Sequence, residues 1–232
     1  MPPARSHYKV VIPSYVGGDF SRPAAEDVAT IAAAEVTDVS ELVGAMYTMD
    51  GSIRPIAGPA VKVCGIAVTA KCPPGDNQAM IRALTEVKPG DVLVVDAKGF
   101  SHWCLGGYLL LQHAQEKYGL AGFIVNGAYR DVEDIRKAGF PVYATGISAY
   151  SGPKLGPGEI NVPVVCGGVV VQPGDIVSAS SEGVTVVPQR AARAVADALV
   201  ARKAGGHGDI GAFVASMAAA FDAEALPKPP ES

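Results

Sequence analysis

The sequence predicts an α/β fold in which a parallel β-α-β-α-β segment is followed by a series of short strands. Between residues 61 and 144, apolar strand-like stretches alternate with helical stretches. This alternation implies parallel strands joined by right-handed crossovers. After residue 145 the pattern changes to short β-branched stretches separated by tight turns, which is typical of an antiparallel sheet or barrel.

Composition favours one soluble globular unit. The 19 basic and 23 acidic residues give a net charge of −4, and the basic residues are scattered, so neither nucleic acid nor an anionic membrane is expected as a partner. We find no export signal and no apolar stretch of bilayer length, and we therefore expect a cytoplasmic location. The four cysteines lack the paired spacing of a zinc site and are expected to be small buried hydrophobic residues.

The N-terminal region, residues 1–22, is rich in Pro and Gly and is expected to lie across the surface or a neighbouring subunit. Ser21 and Pro23 then match the cap and first-turn signals of a helix over residues 24–36. A second helix is expected to start near Thr37.

The central elements follow in the order strand, helix, strand. Strands are predicted over 61–71, 92–96, 122–125 and 141–144, with helices over 78–87, 109–118 and 132–138. The segment Asn126-Gly127 is predicted to be a turn at the end of its strand.

The C-terminal half contains short predicted strands and two helices. The strands are expected over 162–166, 168–171, 176–179 and 184–187, and the helices over 189–203 and 209–225, with Gly205–Gly208 as a hinge. The chain therefore divides into an arm (1–22), a main domain (23–204), and a C-terminal helix and tail (205–232).

Adjacent opposite charges at Arg130 and Asp131 are the most informative feature. An Arg fork binds a planar carboxylate through two hydrogen bonds, and a neighbouring carboxylate suits a hard divalent cation. Together they could hold a 2-oxo acid. The alternative is that Asp131 caps the helix beginning at Val132 while Arg130 is a solvated charge.

Other candidate residues lie at the same predicted edge of the sheet, where open α/β sheets bind ligands. Asp96 ends one strand, and Gly106-Gly107 precedes a helix whose free N–H groups could bind an anion. A glycine pair that only makes a tight turn is the alternative. His102 lies in the same loop, and a structural or solvated role is favoured for it over a catalytic one.

Eight motifs in order carry a resemblance to the RraA-like family, over roughly residues 25 to 190. They are Gly51-Ser-Ile-Arg-Pro55, Gly58-Pro-Ala-Val-Lys-Val63, Cys72-Pro-Pro-Gly-Asp-Asn77, Pro89-Gly-Asp-Val-Leu-Val-Val-Asp96, Asn126-Gly-Ala-Tyr-Arg-Asp131, Gly139-Phe-Pro-Val142, Asn161-Val-Pro-Val164 and Gly183-Val-Thr-Val-Val-Pro188. That family contains the 4-hydroxy-4-methyl-2-oxoglutarate and 4-carboxy-4-hydroxy-2-oxoadipate aldolases.

The resemblance implies a swivelling β/β/α domain that forms a homotrimer or homohexamer with sites between subunits. It implies metal-dependent cleavage of a 4-hydroxy-2-oxo acid with release of pyruvate, often with oxaloacetate decarboxylation. Asp131 resembles the ligand of Mg²⁺ or Mn²⁺, and Arg130 resembles the substrate-binding residue. The residues that resemble the loop holding the pyruvyl carboxylate are Gly107, Tyr108, Leu109 and Leu110.

Two departures from the family pattern bear on the site. Asn126 stands where the family usually carries Asp, which removes a negative charge near the metal, and the spacing from loop to Arg130 is one residue longer, around Tyr118. The same family includes regulators that inhibit a ribonuclease by protein contact, so a binding protein is the second reading. A lyase or hydrolase acting on an unrelated substrate through the same metal site is the third.

The proton-transfer groups are left open by the sequence. Lys98 and Lys71 are candidates for a Schiff-base lysine, but neither lies in an apolar stretch that would lower its pKa, so a metal-dependent reaction is favoured. The general base could be a metal-bound water, or an acid from another subunit such as Glu182 or Glu159.

Overall fold

The computed structural model describes residues 12–57, 62–205 and 209–224, which form two compact units divided between Leu199 and Val200. The strands are β1 (Tyr15–Val16), β2 (Arg54–Pro55), β3 (Val63–Lys71), β4 (Val92–Cys104), β5 (Gly122–Tyr129), β6 (Val142–Ile147), β7 (Glu159–Ile160), β8 (Val164–Cys166), β9 (Val169–Val171), β10 (Ile176–Ser180) and β11 (Gly183–Val187). The α-helices are α1 (Ala25–Ala33), α2 (Val36–Val43), α3 (Gln78–Ala83), α4 (Tyr108–Tyr118), α5 (Val132–Ala138), α6 (Ala192–Gly205) and α7 (Ile210–Glu224).

Four parallel strands, β3, β4, β5 and β6, form the centre of the main sheet. Within the described residues the sheet has nine strands, in the order β1-β7-β3-β4-β5-β6-β2, with β10 and β11 branching from β3. The branch is possible because β3 pairs antiparallel with β10 from Val63 to Ile66 and parallel with β4 from Ala67 to Lys71. β8 and β9 form a separate antiparallel pair.

The central strands are buried on both faces. In β4, Leu93 and Val95 join one apolar cluster while Val92 and Val94 join another, because successive side chains of a strand point to opposite faces. Helices α3, α4 and α5 cover the first face, and strands β8 to β11 cover the second. Helices α1 and α2, with the first part of α6, pack on β10 and β11 through a third cluster. The layers are therefore β/β/α.

The predicted parallel β-α-β-α-β segment is confirmed, as are the short antiparallel strands that follow it. The structure adds one connection that the pattern did not predict. β10 joins β3 edge to edge, so the second half of the domain continues the main sheet and covers one of its faces.

Three central strands extend beyond their predicted ends, and β6 is one of them, reaching Ile147. β5 continues through Gly127 to Tyr129, so the predicted turn at Asn126-Gly127 is wrong. Gly127 is small for a packing reason, because a Cβ there would lie 2.9 Å from the Leu105 side chain. β4 continues past Asp96 to Cys104 through irregular pairing, where Lys98 and Gly99 adopt positive φ and allow the strand to bulge.

The N-terminal helix prediction needs correction. The first helix, α1, ends at Ala33, short of the predicted residue 36, and Ala24, not Ser21, is the residue at its N-cap. The second helix, α2, begins at Val36, which confirms the start expected near Thr37. In the predicted arm, β1 pairs with β7, so this part is attached to the sheet. Residues 1–11, Val61, most of the predicted hinge (206–208) and residues 225–232 lie outside the described residues.

The cysteine prediction holds for three of the four residues. Cys72, Cys104 and Cys166 are buried, whereas Cys64 is partly exposed. Burial raises the pKa of each thiol, to about 12 for Cys64 and Cys72. Within the part of the chain that the structure describes, no helix has the length and apolar character needed to cross a membrane.

Candidate active site at the start of α4

The end of β5 places Arg130 and Asp131 beside the start of α4. The Arg130 N–H donates to the carbonyl of Gly106 at 3.1 Å, which joins β5 to the loop before the helix. Asp131 then turns the chain into α5 with φ 61°, a conformation that non-glycine residues rarely adopt. Such outliers persist where the surroundings enforce them, often at functional sites.

The Asp131 side chain caps a helix, but not the predicted one. Asp131 occupies the N-cap position of α5, yet its carboxylate makes no side-chain capping bond to that helix. Instead Oδ2 accepts a hydrogen bond from the N–H of Tyr108, the first residue of α4, at 2.9 Å. Gly107 permits this approach, because a Cβ there would lie 2.1 Å from Oδ2. Gly107 therefore serves close contact with a carboxylate.

The predicted binding loop keeps part of its hydrogen-bonding capacity. The Tyr108 N–H is occupied by Asp131, and the Leu110 N–H donates to the Gly107 carbonyl. In the described hydrogen-bond network, the N–H groups of Gly107 and Leu109 have no partner. Leu109 is 79% exposed, whereas Leu110 packs against the core. Two unpaired donors therefore lie at the positive end of a helix dipole, one on the exposed Leu109 and one on the buried Gly107.

The Arg130 guanidinium is half-exposed and incompletely paired. Nη1 donates to the carbonyl of Ala149 at 3.3 Å, and Nε lies 3.7 Å from Asp131 Oδ1, too far for a hydrogen bond. Nε is buried and has no hydrogen-bond partner among the described residues. A buried unpaired donor requires an explanation, and a ligand that completes it is a physically reasonable one.

Below this pair the site has an uncharged floor. Tyr129 is fully buried, its hydroxyl has no hydrogen-bond partner within the described ranges, and burial raises its pKa. Gly106 lies on the ring, since a Cβ there would be 2.5 Å from the hydroxyl. Burial likewise raises the pKa of Cys104. Sequence reasoning missed Tyr129, although a tyrosine in an apolar strand directly before Arg130 was the available signal.

The residues fit a weakly held Mg²⁺ or Mn²⁺. Asp131 offers a carboxylate that is 37% exposed, and its Oδ1 accepts no hydrogen bond in the described structure. Among the described residues, no group of three or more His, Cys, Asp or Glu side chains could hold a metal ion. Mg²⁺ is commonly bound by one or two carboxylates, with water and substrate supplying the other ligands. The arrangement suits that mode and not a closed all-protein site.

Asp96 and Asn126, which were predicted at strand ends, pair with each other within β4 and β5 and make different contacts. Asp96 is buried and accepts hydrogen bonds from the Lys98 N–H at 2.9 Å, Lys98 Nζ at 2.6 Å and the Val165 N–H at 3.4 Å. Asn126 Nδ2 donates to the Val165 carbonyl at 3.4 Å. Both side chains therefore hold β8 against the sheet.

The other predicted candidates are engaged elsewhere or exposed. Lys71 and Glu159 form an ion pair at 2.9 Å, and Lys98 pairs with Asp96, so neither lysine is a free amine. Glu182 is exposed in the turn between β10 and β11.

Four aromatic residues flank the site, and we call them the aromatic ridge: Phe100, His102, Trp103 and Tyr150. The rings of Phe100 and His102 have centroids 5.3 Å apart, those of Phe100 and Trp103 are 5.4 Å apart, and those of Trp103 and Tyr150 are 5.9 Å apart. His102 is exposed, and its carbonyl accepts a hydrogen bond from Ser148 Oγ. These contacts are consistent with a structural role for His102.

Comparison with known proteins identifies relatives. A model of the RraA-like family, described as Aldolase/RraA, matches residues 33–186. The chain is 37% identical over 153 residues to a protein of Halalkalibacterium halodurans named as a candidate 4-hydroxy-4-methyl-2-oxoglutarate aldolase, covering 66% of this chain and 72% of that protein.

Two solved structures share the fold. Streptomyces coelicolor RraAS2, described as an unusual member of the RNase ES inhibitor RraA family, is 28% identical with a TM-score of 0.68, covering 89% of this chain and 100% of that one. The RNA-processing inhibitor RraA from Thermus thermophilis is 33% identical with a TM-score of 0.60, covering 67% and 93%.

Proposed function

The chain belongs to the RraA-like family, and we propose that it is a divalent-metal-dependent lyase that cleaves a 4-hydroxy-2-oxo acid and releases pyruvate. The observation that carries this proposal is the convergence of Arg130 and Asp131 on the start of α4, where hydrogen-bonding groups of both the side chains and the backbone are unpaired. A purely structural ion pair would leave no such capacity.

Arg130 and the helix start provide the anion-binding part of the site. The planar fork of Arg130 binds the substrate carboxylate, and the N–H groups of Gly107 and Leu109 add donors at the positive end of α4. These groups stabilise the negative charge that develops on the substrate, because they are already oriented before the reaction begins. The buried floor formed by Tyr129 and Cys104 keeps water from one side of the substrate.

Asp131 would hold the Mg²⁺ or Mn²⁺ through its exposed carboxylate oxygen. When bound, such an ion withdraws electrons from the 2-oxo group. In the cleavage, the C3–C4 bond breaks, its electron pair remains on C3, and the 4-hydroxyl loses its proton as C4 becomes a carbonyl. Protonation at C3 then yields pyruvate. Loss of CO₂ from oxaloacetate breaks a bond to the same carbon and leaves the same enolate.

The base that accepts the 4-hydroxyl proton is proposed to be water or an acid from another subunit. Of the two glutamates considered from sequence, Glu159 already pairs with Lys71, while Glu182 is exposed on a hairpin turn. Glu182 is therefore the better candidate. This assignment requires a homotrimer or homohexamer, and light scattering should give a multiple of the 23.7 kDa monomer mass.

A second candidate function is regulation of RNA processing by protein contact. It is favoured by the likeness to two RraA proteins described as inhibitors of RNA processing or as members of an RNase inhibitor family, which covers 67% or more of this chain. A regulator needs no turnover, and it has no need of an unpaired Arg130 donor beside a carboxylate. The two functions therefore make different demands on the same residues.

The experiment is a pyruvate-release assay on several 4-hydroxy-2-oxo acids and on oxaloacetate, with Mg²⁺, with Mn²⁺ and after chelation. We expect release of pyruvate that is lost on chelation and restored by adding either cation. Undiminished turnover after exhaustive chelation would overturn the metal requirement. Absence of pyruvate from every substrate, combined with inhibition of a ribonuclease by the purified chain, would support the regulator instead.

A further inference from the structure

The aromatic ridge is the largest feature beside the site that the proposed reaction does not use. Trp103 is 37% exposed and Tyr150 is 67% exposed, and each contacts the next ring of the ridge edge to face. Two exposed aliphatic residues, Ile147 and Leu155, lie in the adjoining segment. Large apolar groups exposed together usually contact a ligand or partner.

The ridge is joined to the substrate-binding arginine by fixed backbone contacts. Arg130 Nη1 donates to the carbonyl of Ala149, the residue before Tyr150. The carbonyl of Tyr150 in turn accepts a hydrogen bond from the Cys104 N–H at 2.7 Å, which holds it beside Trp103. The ridge therefore begins one residue from the atom that contacts the guanidinium, and its position is set by the sheet.

The turn on the other side of the ridge is shaped to receive it. Gly75 has φ 75°, and a Cβ there would lie 2.6 Å from the Trp103 ring and 2.9 Å from the Phe100 ring. Gly152 crosses the same turn, with its Cβ position 1.7 Å from the Gly75 carbonyl oxygen. The rings are thus supported from below and exposed above, which is the arrangement of a stacking surface.

The charges near this surface are few. Arg130 is committed to the 2-oxo-acid carboxylate. Burial raises the pKa of the Cys104 thiol, and the charges of Arg130 and Lys154 offset part of that rise. Lys154 is exposed and makes no ion pair within the described residues. One exposed cation competes poorly with a supported aromatic surface for the part of the substrate beyond C3.

We propose that the aromatic ridge binds an aryl group on C4 of the substrate, so that the preferred substrate is a 4-aryl-4-hydroxy-2-oxo acid. The proposal rests on the proposed function, because it takes the site at Arg130 as the anchor. Cleavage breaks the C3–C4 bond, transfers the 4-hydroxyl proton to the base, and gives pyruvate after protonation at C3 together with an aromatic aldehyde. No oxidant or reductant is needed.

Binding can be measured without cleavage, because Trp103 is the single tryptophan of the chain. The probes are 2-oxo-4-phenylbutanoate and 2-oxoglutarate, which differ in the group on C4 and lack the 4-hydroxyl that cleavage requires. We expect the phenyl compound to quench Trp103 fluorescence and to bind about tenfold more tightly than 2-oxoglutarate. Equal binding, or tighter binding of 2-oxoglutarate, would overturn the proposal.

Two tyrosine variants test the ridge itself. Tyr150→Ala should remove most of the preference for the phenyl compound, whereas Tyr15→Ala should keep it, since Tyr15 is 56% exposed on β1, which two strands separate from β4 in the sheet. Light scattering on both variants provides a further check. If Tyr150→Ala dissociates an oligomer that Tyr15→Ala leaves intact, the ridge is an interface between copies and the proposal fails.

Cleavage separates failure of this inference from failure of the proposed function. We expect a kcat/KM for 4-hydroxy-2-oxo-4-phenylbutanoate about tenfold above that for 4-hydroxy-4-methyl-2-oxoglutarate. Pyruvate from the second compound alone would overturn the aryl preference and leave the lyase standing. Pyruvate from neither would overturn the lyase, and the fluorescence preference would then still decide whether the ridge binds aryl 2-oxo acids.

Discussion

Two aspartates follow the apolar stretches of neighbouring strands β4 and β5, and their carboxylates are held in opposite ways. Asp96 on β4 is 2% exposed and accepts three hydrogen bonds from Lys98 and Val165. Asp131 after β5 has a side chain that is 37% exposed and accepts one, from the Tyr108 N–H. Both follow apolar stretches of sequence, so residue type and the preceding residues do not distinguish them.

The two carboxylates differ in how completely their oxygens are hydrogen-bonded and their charge is paired. A buried carboxylate is tolerated only when its oxygens are hydrogen-bonded and its charge is paired, and Lys98 folds back to do this for Asp96. At Asp131 the neighbouring cation, Arg130, stays 3.7 Å away and keeps a buried donor unpaired. We conclude that the first acid is an anchor for β8 and that the second retains capacity for a ligand.

Replacing Asp131 should give the largest effect on activity. Asp131→Ala removes the carboxylate that would hold the cation, and pyruvate release should fall at least about 1000-fold, or about 4 kcal/mol. Asp131→Asn should fall similarly while keeping the fold, because Asn tolerates the left-handed conformation and can still accept from the Tyr108 N–H. Steady-state kinetics and thermal unfolding provide the measurements.

A matched control for Asp131 is Asp134→Asn, which changes an exposed acid three residues later on α5. Its kinetics should match the wild type, because a surface ion pair contributes little. If Asp131→Asn turned over at the wild-type rate in the presence of a chelator, Asp131 would not be the functional acid of the pair Asp96 and Asp131.

Replacing Asp96 should affect stability and not chemistry. Asp96→Ala leaves two N–H groups and the Lys98 amine without their acceptor, and the free energy of unfolding should fall by about 2–4 kcal/mol. The kcat/KM of the folded fraction should stay within about twofold of the wild type. Denaturant unfolding and kinetics measure the two effects, with the exposed Asp19→Ala as control. Loss of turnover without loss of stability would reverse the comparison.

The sequence predicted this fold well because stretches typical of strands alternate regularly with stretches typical of helices. Burial on both faces makes the central strands continuous apolar stretches, and those were found with their crossover helices. Strand ends were missed because pairing with a neighbour extends them: Gly127 reads as a turn residue, yet it lies in β5 to make room for Leu105.

For the site, the sequence indicated the right pair of residues but not their geometry. The signal at Asp131 predicted a cap on the helix that follows it, while the side chain instead reaches α4, 23 residues earlier in the chain. No local pattern reports such a contact, because it depends on β5 extending alongside the loop at Gly106. The hydrogen bonds that Lys98 and Val165 donate to the Asp96 carboxylate likewise depend on the folded structure and cannot be read from a local pattern.

Arg130→Lys sharpens the comparison by keeping charge and removing the planar fork. The loss of a bidentate, charge-assisted contact should weaken transition-state stabilisation by about 1.5–3 kcal/mol, which lowers kcat/KM by about 10- to 150-fold. Arg136→Lys on α5 is the control, since its exposed side chain pairs with Glu133. An unchanged specificity constant in Arg130→Lys would mean that the guanidinium does not bind the substrate.

The smallest effect is expected at Asn126, which lies beside Asp96 in the register of β4 and β5. Asn126→Asp removes the donor to the Val165 carbonyl and puts a second negative charge next to a buried one, so the free energy of unfolding should fall by about 1 kcal/mol at pH 7. The neighbouring charge raises the pKa of the new carboxyl above its unfolded value. The loss of stability is therefore present while that carboxyl is ionised, and it should shrink as the pH falls towards about 4.

Because the contacts of Asn126 belong to the anchor and not to the Arg130 site, the Mg²⁺ dependence of pyruvate release should not change. Tighter Mg²⁺ binding in Asn126→Asp, with stability preserved, would instead place this position in the metal's surroundings and remove the separation between the Asp96 anchor and the Asp131 site.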